Sequence, residues 1–294
     1  MTPAAPGSPV RLPGAETRWP APAKLNLFLH VTGQRPDGYH NLQTLFQLID
    51  LADEIGITLR DDARIERLGG PADIPPESDL VIRAARALQS ATGTRLGANL
   101  RVRKRIPAGG GLGGGSSDAA TTLLALNHLW GTDLTPAQLA EIGLTLGSDV
   151  PVFVYGSSAW AEGRGKILEP VELPERWYAV IHPRVHVATP LIFQAPELTR
   201  NSPKITMRAF FQAGGRNDCE GIVRTRFPEV AEALDWLARF APARLTGTGA
   251  CLFAAFTRAI DAERVAAKVP DRWTGFVARG LNTSPVHERL GLHS

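Results

Sequence analysis

The 294-residue chain holds only two cysteines, Cys219 and Cys251. Two isolated thiols can build neither a disulfide framework nor a thiolate metal site. Reduced thiols fit a cytoplasmic protein. Lysine is scarce too: Lys24, Lys104, Lys166, Lys204 and Lys268 are the whole supply, and arginine makes up the rest of the basic side. A lysine in a distinctive setting therefore stands out. No apolar stretch approaches the ~20 residues of a membrane span. The first 18 residues, rich in Pro and Ala, lack the apolar core of a secretory signal and read as a disordered tail. The net charge of +3 is too small to argue for nucleic acid. The remaining composition, 44% hydrophobic and 21% charged, is that of a globular chain with room for one large or two ordinary domains.

Glycine, by contrast, is concentrated. The run Pro107-Ala108-Gly109-Gly110-Gly111-Leu112-Gly113-Gly114-Gly115-Ser116-Ser117-Asp118 has six glycines in seven positions and feeds a helical pattern through Ala119, Leu123, Leu126 and Trp130. Such a backbone can come within contact distance of a ligand. With Ser116 or Ser117 as N-cap, the turn presents free N–H donors and the positive end of a helix dipole, which suits phosphate. A flexible linker has no reason to end in a capped apolar helix. A P-loop needs a lysine after its glycines, and none follows. The Gly109-x-Gly111-x-x-Gly114 spacing fits the dinucleotide fingerprint, but where a strand ending in an acidic residue is due the chain has a helix end and the turn Gly131-Thr132-Asp133.

Elsewhere the pattern is mixed. Ala23 to Thr32 alternates as a strand, with Lys24, Asn26, Phe28 and His30 on one face. After a turn at Gly33–Gly38 come extended chain from Tyr39 to Leu51 and a strand from Asp53 to Leu59. Ser78 caps a helix through Leu88, and Leu100 to Ile106 is the strand before the glycines. Thr135-Pro136-Ala137-Gln138 is a capping box that opens a helix ended by Gly147. Val152 to Ala161 reads as a strand, and the chain turns polar from Gly163 to Pro174. Later come a strand from Trp177 and helices at Pro190–Gln194, Asp218–Phe240 and Asp261–Val269. A second glycine turn, Thr246-Gly247-Thr248-Gly249, lies between the last two helices. Strands and helices alternate without a regular βαβ rhythm, so the fold class is α+β.

Several residues carry two readings from sequence. Lys24 is either an edge-strand lysine in water or a cation aimed into a cleft. Pro151 biases Val150 toward extended backbone, which puts Asp149 at a helix-to-strand junction, as a turn aspartate or as a carboxylate base or metal ligand. Arg101, Arg103 and Arg105 share a solvated strand face, with Lys104 on the other face able to help neutralise a nucleotide. Tyr39, His40 and Phe193 read as packing groups near turns, and no His spacing suits a metal.

Three stretches together, Pro22-Ala23-Lys24-Leu25-Asn26-Leu27, the Pro107–Ser117 loop and Arg244-Leu245-Thr246-Gly247-Thr248-Gly249-Ala250-Cys251, resemble the GHMP small-molecule kinases (galactose, homoserine, mevalonate and phosphomevalonate kinases). Asp37-Gly38-Tyr39-His40-Asn41-Leu42-Gln43-Thr44, Leu144–Phe153 and Asn217-Asp218-Cys219 narrow the resemblance to the branch acting on a cytidine diphosphate-linked methylerythritol in non-mevalonate isoprenoid synthesis. The likeness runs from about Arg18 to the C-terminus. It implies a two-domain fold after the 1–18 tail: an ATP-binding domain over 19–165 and a ferredoxin-like α/β domain over 166–294, with the active site in the cleft between them. It implies ATP and Mg²⁺ as cofactors, transfer to the 2-hydroxyl of the erythritol moiety, and a monomer or weak homodimer without nucleic-acid or membrane partners. Asp149 is then the general base and Lys24 its partner. The 107–117 loop wraps the phosphates, and the Asp118 carboxylate is expected to point away from them. Asp79 and Leu80 lie near the adenine. Tyr39 and Phe193 flank the cytosine, His40 reads its edge, and Asn26 and Thr189 hold the diphosphate or erythritol end. The Thr246–Gly249 turn brings backbone of the second domain to the cleft.

Overall fold

The computed structural model describes residues 14–71, 74–163 and 167–292. Residues 1–13 of the expected tail lie outside the described residues, and Thr17 and Arg18 already belong to the first strand. Strand β1 (Thr17–Gln34) turns at Gly38 (φ 82°) into β2 (His40–Arg60), and the two pair antiparallel over almost their whole length. The two strands expected between Tyr39 and Leu59 are thus one. The register shifts between Pro22 and Ala23, so the pair bends without breaking.

Strand β3 (Ile65–Gly69) leads to helix α1 (Leu80–Thr92), which is followed by β4 (Gly97–Arg103) and α2 (Gly114–Trp130). The cap of α1 is Asp79, not Ser78: its carboxylate accepts from the Val81 N–H at 2.9 Å, while the Ser78 N–H is tied to the Pro75 carbonyl in the turn before. Helix α2 is apolar nearly all round, with Ser117 to Leu126 buried, so it can sit only in the middle of a core. Helix α3 (Pro136–Leu146) carries the expected capping box of Thr135 and Gln138.

The segment after Asp149 differs from the expected strand. It forms α4 (Val150–Tyr155), closed by Gly156, and only then β5 (Ala159–Gly163) and β6 (Ile167–Pro170). A short apolar run does not reveal its period. Pro151 here occupies the first helical turn, where a missing N–H costs nothing.

The second half runs through β7 (Trp177–His182), α5 (Thr189–Phe193), α6 (Met207–Ala213), α7 (Glu220–Arg226), α8 (Pro228–Ala238), β8 (Ala243–Leu245), β9 (Leu252–Phe256), α9 (Ala259–Ala266), β10 (Thr274–Leu281) and α10 (Pro285–Leu290). The single helix expected from Asp218 to Phe240 is broken at Phe227, because Pro228 disfavours helical backbone in the residue before it. Antiparallel order β10-β7-β9-β8, with helices between β7 and β8 and between β9 and β10, is the βαββαβ ferredoxin-like arrangement. Strand β10 also pairs with β2 at Ile49 and Leu48, which joins the halves edge to edge. No described helix is long and apolar enough to cross a membrane.

His287 on α10 is buried, its Nε2 bonding the Val154 carbonyl at 2.9 Å while Nδ1 has no partner. Burial lowers its pKa, against a smaller opposing effect of that hydrogen bond. A neutral imidazole that becomes free to protonate on unfolding makes the unfolded chain bind more protons as pH falls through about 6.5. Its share of stability is therefore present above that pH and lost below it. His287→Gln keeps a donor and cannot titrate. Its melting temperature relative to wild type should rise between pH 7 and pH 5, by about 2–4 °C per kcal/mol of titration free energy at this chain length. A constant difference between the two melting curves would contradict this.

Candidate active site

The glycine segment between β4 and α2 alternates into left-handed backbone at Gly109 (φ 65°), Gly111 (φ 74°) and Gly113 (φ 74°). Every carbonyl from Gly109 to Leu112 is held by a donor from elsewhere. Gly109 accepts from the Ala250 N–H (3.3 Å), Gly110 from Cys251 N–H (3.1 Å), Gly111 from Lys24 Nζ (2.8 Å) and Thr246 Oγ1 (3.3 Å), and Leu112 from the Lys24 N–H (3.0 Å). A trans peptide sets its N–H opposite its carbonyl, so pinning the carbonyls turns the next amides the other way. The cap of α2 is Gly113, with no side-chain capping bond, and not a serine as expected. Ser116 and Ser117 lie inside the first turn, whose first intrahelical bond is Ser117 N–H to the Gly113 carbonyl. The N–H groups of Gly114, Gly115 and Ser116 thus stay available, which is the arrangement an anion needs.

The donors from the second half are themselves anchored. Asn217 Nδ2 bonds the carbonyls of Leu245 (2.9 Å) and Gly247 (2.8 Å), and its Oδ1 accepts from the Cys219 N–H. The Asn26 N–H donates to Thr246 Oγ1 at 3.0 Å. The Thr246–Gly249 turn therefore does reach the cleft, and it does so as a clamp on the glycine segment.

Lys24 is 2% exposed, which excludes the reading of an edge lysine in water. Its Nζ sits 2.5 Å from Asn26 Oδ1, 2.8 Å from the Gly111 carbonyl and 3.4 Å from Asp149 Oδ2, with the Phe46 ring centroid at 5.4 Å. A buried ammonium is tolerable only with such partners. Asp149 is at the start of α4, between two helices and not before a strand, and caps nothing, so its carboxylate is free to act. Its side chain is 35% exposed, open to the cavity on which Lys24 also borders.

That cavity, about 1530 Å³, is lined by Lys24, Asn26, Tyr39, His40, Asp79, Leu80, Lys104, residues 107–116, Asp149, Thr189 and Phe193. It brings together every candidate residue except Ser117, which is fully buried with an unpartnered hydroxyl. At one end Tyr39 is half exposed. His40 stacks on Phe193 there, with centroids 5.1 Å apart and planes 23° from parallel. Thr189 Oγ1 meets Thr248 Oγ1 at 3.0 Å, and Asn26 Nδ2 donates to Thr44. At the other end Asp79 is already committed, to the α1 cap and to Arg67 at 2.6 Å.

Lys104 is less free than the sequence suggested. Its Nζ is bonded to Asp53 and, at 2.7 Å, to Asp118. Burial opposes its charge, but Asp118 and Asp53 outweigh burial and raise its pKa. Burial pushes the Asp118 carboxyl up, and Asp53 repulsion adds to this against the pull of Lys104. Asp118 borders the cavity, but its carboxylate is buried: one oxygen is held by Lys104 and the other has no hydrogen-bond partner. Asp53 also accepts the Arg105 and Ile106 N–H groups and so fixes the approach to the loop. Sequence reasoning gave no role to Asp53, Arg200 or Asn217. Only Asn217 stood inside a recognised stretch.

A cleft of this kind between an α/β half and a ferredoxin-like half matches known proteins throughout. The GHMP kinases N terminal domain matches residues 79–157 and the GHMP kinases C terminal domain matches residues 196–275. The chain belongs to the GHMP kinases, small-molecule kinases for which ATP is the phosphate donor. Among relatives, the 4-diphosphocytidyl-2-C-methyl-D-erythritol kinase of Alkalilimnicola ehrlichii is 55% identical over 92% of this chain and 94% of its own length. The enzyme of the same name from Ectopseudomonas mendocina is 56% identical over 94% of this chain and 95% of its own. A crystal structure of 4-(cytidine 5'-diphospho)-2C-methyl-D-erythritol kinase superposes with a TM-score of 0.79 at 33% identity, covering 90% of this chain and 99% of that one. A mevalonate kinase at 16% identity and TM-score 0.66 shares the fold.

Proposed function

We propose that this protein transfers the terminal phosphoryl group of ATP to the 2-hydroxyl of 4-diphosphocytidyl-2-C-methyl-D-erythritol, a step of non-mevalonate isoprenoid synthesis. The observation that carries the reading is the Lys24–Asp149 pair, 3.4 Å apart on the wall of the same cavity as the open amides of the glycine segment. Asp149 takes the hydroxyl proton as the oxygen bonds to the γ-phosphorus and ADP leaves. Lys24 stabilises charge that develops on the transferring group. Residues 107–116 cradle the phosphates, with Lys104 at their edge. Leu80 and the Asp79 cap border the adenine. Asn26 and Thr189 hold the diphosphate or erythritol end, and Tyr39, His40 and Phe193 take the cytosine.

The residues fit a Mg²⁺ held chiefly by phosphate oxygens. Among the described residues no three His, Cys, Asp or Glu side chains form a cage, and the unpartnered Ser117 hydroxyl in the first turn of α2 is fully buried and does not border the cavity, so the phosphates themselves would supply the oxygens. The ion supplies charge neutralisation between the phosphates.

The test is an ADP-release assay with the cytidylated alcohol beside mevalonate, homoserine and galactose. Turnover confined to the cytidylated alcohol supports the reading, and turnover of another alcohol alone refutes it. Within the pocket, Phe193→Ala and Tyr39→Ala should raise KM for the cytidylated alcohol roughly 5- to 150-fold, the range for losing an aromatic stack on a base, and leave KM for ATP within about twofold. Equal rises for both substrates would place these rings elsewhere in the mechanism.

A further inference from the structure

Arg200, between α5 and α6, is a feature of the cavity that the kinase reading leaves unused. Its guanidinium is fixed by three main-chain carbonyls: Leu198 at 3.1 Å from Nη1, and Phe193 at 3.0 Å and Ala195 at 2.8 Å from Nη2. A fourth donor, Nε–H, points at His40 Nε2 at 3.2 Å. Guanidinium has five donors and no acceptor. The imidazole nitrogen facing it must therefore offer a lone pair, and a neutral ring with a lone pair on Nε2 carries its proton on Nδ1. The same guanidinium holds the carbonyl of Phe193, the residue whose ring stacks on His40. One side chain thus sets the orientation of His40, its tautomer and the backbone that carries its stacking partner.

We propose that Arg200 is a positioning and specificity residue: it locks His40 as the Nδ1–H tautomer, so that the ring meets the pyrimidine as a hydrogen-bond donor only. This rests on the reading of the Tyr39–His40–Phe193 end as the pyrimidine pocket. A donor-only group pairs with an edge that presents a lone pair, as N3 of cytosine does. It refuses an edge that presents N–H, as N3 of uracil does, because two donors would be left facing each other. Protonation at Nε2 is opposed in the same way. Burial, and then the charge of Arg200, hold the His40 imidazolium below its ordinary range. The lock is preformed, since Arg200 makes all four bonds within the protein itself.

The tautomer is read by long-range ¹H–¹⁵N correlation on the ¹⁵N-histidine-labelled full-length protein at pH 8, with His40 assigned from its own variants. Wild type should show Nδ1–H, and Arg200→Met should move His40 to a mixture that includes Nε2–H. In the same variant KM for the cytidylated alcohol should rise about tenfold, the factor for one lost neutral hydrogen bond, with kcat and KM for ATP changed less than about twofold. Because Arg200→Met strips a donor from three carbonyls and could fail to fold, a second pair of variants leaves Arg200 in place. His40→Asn keeps an N–H donor at the Nδ1 position and should stay within about threefold of the wild-type KM. His40→Gln keeps an acceptor toward Arg200 but has no donor at Nδ1 and should lose about tenfold. An Nε2–H tautomer in wild type, or an unmoved tautomer in Arg200→Met, overturns the lock whatever the substrate. A moved tautomer with unmoved KM, or His40→Gln binding better than His40→Asn, overturns its part in recognition. If Phe193→Ala also leaves KM unmoved, the pyrimidine pocket itself has failed, which separates that outcome from failure of the lock.

Discussion

Asp149→Asn should lower kcat by ~10²–10⁴, the usual worth of a general base, with little change in KM for ATP. The substitution is nearly isosteric and Asp149 caps no helix, so the protein should keep its fold, while loss of a partner of the buried Lys24 ammonium should lower its melting temperature. What it removes is the only described carboxylate within reach of Lys24 Nζ, at 3.4 Å. A factor of 10³ corresponds to about 4 kcal/mol of transition-state stabilisation, and because Lys24 is buried the lost ion pair can itself cost about 3–5 kcal/mol of stability. The lost ion pair is read in the melting temperature, and the loss of kcat in the folded variant reports the chemical step. Lys24→Ala should lose a similar factor in kcat and should also weaken ATP binding, because Lys24 Nζ holds the Gly111 carbonyl at 2.8 Å and so helps aim the loop amides. If the two side chains act as one unit, Lys24→Ala/Asp149→Asn should lose little more than the worse single variant. Multiplying losses would mean independent roles. Single-turnover rates near wild type in Asp149→Asn would remove the base assignment altogether.

What sequence could and could not reveal follows from where each determinant sits. The capping box at Thr135 and Gln138 spans four residues, so α3 was fully legible. The glycine run was legible as a close-approach turn feeding a helix for the same local reason. The actual cap, Gly113 in place of the expected serine, was not legible, because the helix start is set by carbonyls tied to residues far along the chain, Ala250 and Cys251 among them. The two readings of Lys24 could not be separated for the same cause: its burial is created by Gly111 and Asp149, both distant in sequence. The run from Val150 to Tyr155 was misread because six apolar residues fit a strand or a helical turn equally well, and packing against α2 and α3 decides between them. Asp53 looked like the start of a new strand because a charge interrupts an apolar pattern. It is instead a buried carboxylate satisfied by Lys104 and two backbone N–H groups of the loop's approach, and no local pattern records that.

Gly111→Ala should be severely damaging for a change of one methyl group. Gly111 has φ 74°, a region that costs an L-residue of order 1–3 kcal/mol when the surroundings enforce it. The surroundings do enforce it: a Cβ there would overlap the Thr246 carbonyl and lie 3.2 Å from that of Gly249, both fixed backbone. Neither carbonyl can yield, because Asn217 grips the same turn through the Leu245 and Gly247 carbonyls. The loop must then pull away from the second half. That breaks the Lys24–Gly111 and Thr246–Gly111 bonds and lets the carbonyls turn toward the cavity, where they would repel phosphate. The expected result is loss of ATP binding by about tenfold or more together with a lower melting temperature, since 1.4 kcal/mol of strain alone is a factor of ten. Gly115→Ala serves as the control. Gly115 lies on the same loop at the start of α2, and its added Cβ would meet only the Leu80 side chain at 3.4 Å, so folding should be untouched. Titration with an ATP analogue and thermal melts of both variants decide the matter. If Gly111→Ala binds nucleotide as tightly as wild type, the clamp between the Thr246–Gly249 turn and the glycine segment does not aim the amides, and phosphate must be held by other groups of the cleft.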